Sequence, residues 1–202
     1  DNLPSSFQEY LIGYVASKVA QKNEQNIWAG AAAEGSFDGF ATLLAADNTK
    51  VAVTGTAITA ANVVEQLGLV VDAIPSPLYG RDDLHIYVAQ NVFRAYKRAL
   101  GGFAANGVGA AGYMAQGNNQ DINIQFFDGV KIFMANGLPS DKMIATTKDN
   151  LWFGTGLMSD AQEVKVLDMA DLDGSQNVRV IMRFTAGVQY GIASDIVTYG
   201  IA

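Results

Sequence analysis

The sequence predicts an α+β fold with a mostly antiparallel sheet, and three observations carry that prediction. Apolar residues recur at helical spacing from Phe7 to Trp28 with no intervening proline. From Ile122 onward the pattern turns to short β-type runs separated by turn residues. Helices therefore come first and strands later, which is the order of an α+β chain rather than of alternating βαβ units. With 202 residues the chain can bury a substantial core, and 50% of it is hydrophobic. Only 16% is charged, against about a quarter in average proteins, and this composition excludes intrinsic disorder.

The leading helix opens at Ser6, which with Glu9 fits a capping box, the hydroxyl and the carboxylate each satisfying a free amide of the first turn. Phe7, Leu11, Tyr14, Val15, Val19 and Ile27 are its apolar positions, Lys18, Gln21, Lys22 and Glu24 its polar face, and Gly30 its stop. At 1.5 Å per residue it makes a rod of roughly 33 Å. Residues 29–58, rich in Ala, Gly and Thr, read as loop around one short strand at Val51-Ala52-Val53. Thr59 opens a second helix with Val63, Val64, Leu67, Val70 and Val71 apolar, ending before Pro75. Leu84–Val88 reads as a strand, and Ala89–Leu100 as a helix showing Val92, Phe93, Tyr96 and Leu100 on one side, closed by Gly101. Residues 101–121 hold six glycines and read as loop. Strands are expected at 122–127, 130–134, 143–146, 151–153, 164–167, 178–184, 188–192 and 196–201, with 171–176 as a hairpin loop.

Chemistry has few carriers in this chain. Twenty acidic against 13 basic residues give a net charge of −7, which argues against a broad basic face for nucleic acid. Absence of cysteine excludes disulfides, thiolate zinc and a cysteine nucleophile. His85 is the only histidine, it lies in the alternating run Leu84-His85-Ile86-Tyr87-Val88, and no nucleophile signature accompanies it. Gly107-Val108-Gly109-Ala110-Ala111-Gly112 matches the dinucleotide pattern G-x-G-x-x-G. That pattern needs a strand before it and a helix after it, and neither is readable here, so it reads as a glycine loop. Asp168, Asp171 and Asp173-Gly174 resemble part of a calcium loop, but Met169 and Val180 stand where liganding residues belong, so a turn with solvated carboxylates is expected. Asp82-Asp83 reads as a water-facing loop pair. Phe126, Phe127, Phe133, Trp152, Phe153 and Phe184 lack interleaved bases and read as core. No catalytic, cofactor-binding or metal-ligating residue and no cofactor is assigned, and the composition leans away from an enzyme. No apolar run reaches the 18 or so residues of a membrane span. Asp1 in place of Met leads us to expect a processed chain or an excised fragment. The low charge density accords with extensive protein–protein contact, since interface centres are depleted of charge.

The stretch from Ser6-Phe7-Gln8-Glu9-Tyr10-Leu11 through Lys22-Asn23-Glu24-Gln25-Asn26-Ile27-Trp28-Ala29-Gly30 resembles the spine helix of tailed-bacteriophage or prophage major capsid proteins of the Hong Kong 97 fold. Glu24, Gly30, Gly35 and Phe37-Asp38-Gly39-Phe40 occupy the acid, the glycine turn and the entry into the next domain. Thr59–Ala73 and the unit Leu84–Leu100 look like the start of that family's axial domain. Phe127-Asp128-Gly129-Val130-Lys131-Ile132 followed by Gly137-Leu138-Pro139 is similar to a further passage of it, and the hairpin from Glu163 to Tyr190, with Asn177-Val178-Arg179-Val180 and Arg183, to the closing peripheral strands. The family's N-terminal arm and extended loop are missing from this sequence. The resemblance implies a long spine helix packed on antiparallel strands as a peripheral domain (1–35 and 157–189), plus a mixed helix–sheet axial domain (36–156 and 190–202). It implies a structural, non-enzymatic subunit that forms pentamers and hexamers of itself and closes an icosahedral shell around DNA without sequence-specific binding. Scaffold, portal or decoration proteins would be its partners, no membrane is involved, and its location would be the virion, assembled in the bacterial host cytoplasm.

Other readings stay open at the level of sequence. An encapsulin-type compartment shell shares the fold. A small α+β enzyme or ligand-binding domain would use the 101–121 loop and His85, and a phage tail or adhesion module is a further alternative. If the apolar positions of the leading helix are buried, Val15→Asp prevents soluble folding, because a lone buried charge costs several kcal/mol. Lys18→Ala, on the polar face, leaves folding within about 0.5 kcal/mol.

Overall fold

The computed structural model describes residues 5–101, 124–156, 164–169, 174, 177–182 and 185–201. The helix α1 spans Ser5–Ala29. The cap expected at Ser6 lies outside the described side chains. A 3₁₀ turn at Ala32–Glu34 leads into α2 (Phe40–Ala46), where sequence reading expects loop. Its seven residues are too few for a periodic signal, but Phe40 and Leu44, one turn apart, are both buried. The short strand β1 (Val51–Val53) follows as expected. The helix α3 (Val63–Asp72) starts four residues later than Thr59. Asn62 explains the delay, because its Oδ1 accepts from both the Thr59 amide (2.8 Å) and hydroxyl (3.1 Å) and so holds a turn there.

The strand β2 (Leu84–Val88) and the helix α4 (Gln90–Gly101) lie where they are expected. Beyond residue 123 come β3 (Ile124–Phe127), β4 (Val130–Met134), β5 (Met143–Thr147), β6 (Leu151–Thr155), β7 (Val164–Asp168), β8 (Val178–Met182), β9 (Ala186–Tyr190) and β10 (Val197–Tyr199). The ninth strand begins two residues earlier than its apolar run suggests. Asp128 and Gly129, at φ of 48° and 79°, make the two-residue turn that joins β3 to β4.

Six strands form one sheet in the order β1-β10-β5-β2-β4-β3. Within it β1–β10 and β2–β4 are parallel and the other pairings antiparallel, so the sheet is mixed rather than purely antiparallel. A parallel neighbour requires a crossover, which α4 begins between β2 and β4. The central strands are covered on both faces: every residue of β5 and of β10 is buried. The core gathers Leu67, Val70, Ile86, Val92, Ile132, Ile144 and Val197 from α3, α4 and the sheet. At the sheet edge the Tyr96 hydroxyl of α4 donates to the Phe126 carbonyl of β3 (2.7 Å). Two smaller ribbons, β6–β9 and β7–β8, stand apart from this sheet.

The leading helix departs from its expected burial. Phe7 and Tyr14 face solvent, while Leu11, Val15 and Val19 are only half-buried. The chain meets its core first at Ile27 and Trp28. Val15→Asp is therefore not the core-breaking change that periodicity implies, because the charge keeps access to water. The seat of α1 is at its other end. Trp28 is 7% exposed, with its ring 5.6 Å from that of Phe40 and 5.1 Å from that of Tyr87. The Trp28 indole N–H donates to Glu24 one turn back (2.9 Å). Asn23 and Asn26 of the same end line a cleft of about 320 Å³ with Thr185 and Ala186, at the start of β9.

Backbones approach too closely there for side chains. A Cβ on Gly137 would lie 2.7 Å from the Gln25 Cα, in the wall of α1. Gly137→Ala is thus expected to lift the helix from its seat and destabilise the chain by about 1–3 kcal/mol, read as a lower melting temperature in circular dichroism.

Candidate assembly surface

The residues that sequence reading weighs for chemistry do not come together. His85 is half-buried, its Nδ1 is 2.6 Å from the Asp83 carbonyl oxygen, and its ring lies 4.9 Å from that of Phe133. These contacts make it a packed strand residue. Asp83 accepts from Nε (2.8 Å) and Nη2 (2.7 Å) of Arg81, and that pairing holds its carboxyl below the usual carboxylate range. The glycine run 107–112, Asp171, Asp173, Phe184 and the Asp168 side chain lie outside the described residues. Among the described residues no three His, Asp or Glu side chains gather in a way that could hold a metal ion. No described helix is long and apolar enough to cross a membrane.

What the structure brings to the surface instead is aromatic. Trp152 (65% exposed), Phe153 and Phe126 face solvent, although the β-branched runs around them read as core. Phe127 and Phe133 are half-buried. The reason for Trp152 and Phe153 is topological: β6 pairs only with β9, and although Leu151, Val188 and Tyr190 of this ribbon pack against the core, no further strand flanks it. Opposite glycines, Gly154 and Gly187, leave its middle bare. No periodic signal could have placed these rings outside, since outward and inward aromatics look alike in a short run. The one cue is the density of glycine around them at 154, 156, 187 and 191.

Polar staples hold this surface in place. Asn150 is buried, and its Oδ1 accepts from the Gly191 (3.1 Å) and Ile192 (2.7 Å) amides while its Nδ2 donates to the Ile192 carbonyl (2.8 Å). The start of β6 is thereby fixed to the end of β9. On the other side the Tyr190 hydroxyl donates to Asp47 Oδ2 (2.6 Å), at the end of α2. A broad polar groove of about 1120 Å³ runs between α1 and α4, with Gln21, Glu24 and Gln25 on one wall and Arg94 and Arg98 on the other.

The fold has solved counterparts. The chain is similar to a chain of the capsid of an empty GTA particle, with a TM-score of 0.64 and 13% identity over 95% of this chain and 65% of that one. It is similar to a chain of Mycobacterium phage Che8, with a TM-score of 0.56 and 13% identity over 98% of this chain and 63% of that one. A chain of the satellite phage P4 procapsid gives a TM-score of 0.57 at 11% identity, over 97% of this chain and 67% of that one. The architecture described above is therefore the α+β fold of phage capsid proteins, and the chain spans about two-thirds of the length of those structures. No protein-family model matches the sequence, and no curated protein matches it.

The Asp47–Tyr190 bond makes a pH-dependent prediction. Hydrogen bonds from Thr49 and then Tyr190 lower the Asp47 carboxyl from 3.8 to about 2. Its contribution to stability is therefore complete above 3.8 and is lost as pH falls through about 2. Burial, and then the bond to Asp47, pushes the Tyr190 phenol up from 10.0 to about 12, so its contribution is complete below 10.0 and is lost as pH rises through about 12. Tyr190→Phe is expected to shrink both the acid-side and the alkaline loss, the latter only in part because burial also raises the phenols of Tyr87 and Tyr96, as thermal melts across both windows will measure.

Proposed function

We propose that this chain is the structural subunit of an icosahedral phage or prophage capsid, associating with copies of itself into pentamers and hexamers that enclose DNA. The observation that carries the proposal is the capsid fold, matched over 95% of the chain or more by shell-forming structures. The surface supports it as well. Aromatic rings left in solvent by single-chain folding are what a subunit reserves for its neighbours, because interfaces are enriched in aromatic residues. The net charge of −7 suits a wall that contains DNA without gripping it, since affinity for a duplex follows the phosphates neutralised by Lys and Arg.

In this reading the chain works without catalysis. Residues 1–35 and 157–189 form a peripheral domain and 36–156 with 190–202 an axial domain. The large sheet supports this division, because its strands all lie between residues 51 and 199 and none comes from the 157–189 span. The ribbon β6–β9 then ties the two parts together. The virion is the place of action, after assembly in the bacterial host cytoplasm, with scaffold, portal or decoration proteins as further partners.

Negative-stain electron microscopy with sedimentation of the protein as its gene encodes it tests the proposal. Closed shells, or rings of five and six subunits, are the expected outcome. A monomer at all salt and protein concentrations, with scaffold supplied, overturns the reading, and shells packed with protein cargo in place of DNA transfer it to an encapsulin-type compartment.

A further inference from the structure

We propose that the exposed stripe of α1 binds the Trp152–Ile192 patch of a second copy of this chain. The inference rests on the shell reading above and names two surfaces that meet. Phe7, Tyr10 and Tyr14 are 44%, 69% and 52% exposed, and their spacing puts them on one face of the helix. The rings of Tyr10 and Tyr14 stack at 6.5 Å, and Lys18 Nζ sits 5.7 Å from the Tyr14 centroid. The same face runs on through Gln21 and Gln25 into the groove whose far wall carries Arg94 and Arg98. Arg94 and Arg98 outnumber Glu24, the acid in that groove, so its charge is net positive. The stripe is therefore aromatic at one end and basic at the other.

Its complement lies at the base of β6. Trp152 and Ile192 are 65% and 57% exposed, and the Asn150 staple brings their backbones together. Acids flank this patch: Asp149 lies in the 3₁₀ turn that leads into β6, and Asp195 in the one that follows Ile192. Arg81 is taken up by Asp83 at 2.7 Å, which leaves Asp149 and Asp195 against Lys148, the residue before Asp149. An aromatic patch with an acidic rim fits an aromatic stripe with a basic end. The contact is thus heterologous, of the type that closes into rings when the rotation between copies closes. Rim charges of this kind set register and choice of partner more than raw affinity.

Photo-crosslinking from p-benzoylphenylalanine placed at position 14 of the gene-encoded protein, with mass-spectrometric mapping, tests the inference. The expected product joins Tyr14's position in one copy to residues 149–155 or 189–195 of another. Lys18→Glu is expected to raise the concentration for half-maximal association by roughly three- to tenfold, and adding Asp149→Lys to restore it. Circular dichroism checks that both variants keep the fold. Particles whose cross-links map elsewhere, or a charge swap that fails to rescue, overturn this contact while the shell reading stands. Absence of any ring, particle or intermolecular cross-link overturns both.

Discussion

The arrangement of this protein depends on how the last two turns of α1 are seated against the sheet. The helix of 25 residues is not buried along its whole length. It is held instead at one end, where Trp28 is wedged between Phe40 of α2 and Tyr87 of β2. The seat is also made of backbone. The Gly39 amide donates to the Gly30 carbonyl (2.9 Å), which also accepts from the Thr42 hydroxyl (2.7 Å). Any Cβ at Gly39 would meet the Ala29 and Gly30 amides at 2.7 Å. Close backbone crossing of this kind gives a rigid joint from few side chains, and it lets the rest of the helix project.

A projecting helix and a ribbon with exposed aromatic rings are costly features for a monomer. An isolated two-stranded ribbon is at best marginally stable in water. Exposed aromatic rings forgo about 1.5–3 kcal/mol each of burial. In the shell proposed above, a subunit that reserves these groups for contact with its neighbours would recover that free energy on assembly. The buried mixed sheet supplies the independent stability that a subunit needs before it meets a neighbour.

Polar side chains fix the parts that apolar packing leaves loose. Asp141, held at a φ of 61°, accepts the Ile58 amide (2.9 Å) and the Asn91 side chain (2.7 Å), and so ties the loop before α3 to α4 and to the entrance of β5. Tyr199 donates to the buried Gln66 (2.7 Å) and receives the Thr56 amide (2.9 Å), which locks β10 to α3. Each joins segments that are distant in sequence, and each satisfies groups that would be expensive to bury unpaired.

Local sequence by itself determined the elements whose signals are short-ranged: α1, β2, α4, the Asp128-Gly129 hairpin and the order of helices before strands, which together make the α+β class. Periodicity, glycine stops and turn residues act within a few positions, so they are legible along one chain. Burial is a different matter. Phe7 and Tyr14 are aromatic like Trp28, and nothing in their neighbours along the sequence distinguishes the rings left in water from the one in the core, while for Trp152 the nearby glycines are the single cue. The parallel pairing of β2 with β4, the seven-residue α2 and the Asn150 staple were likewise decided only by tertiary structure. Each of them exists because of a partner far away in the chain, and sequence patterns of period two or 3.6 record which side of an element is apolar but not what, if anything, comes to cover it.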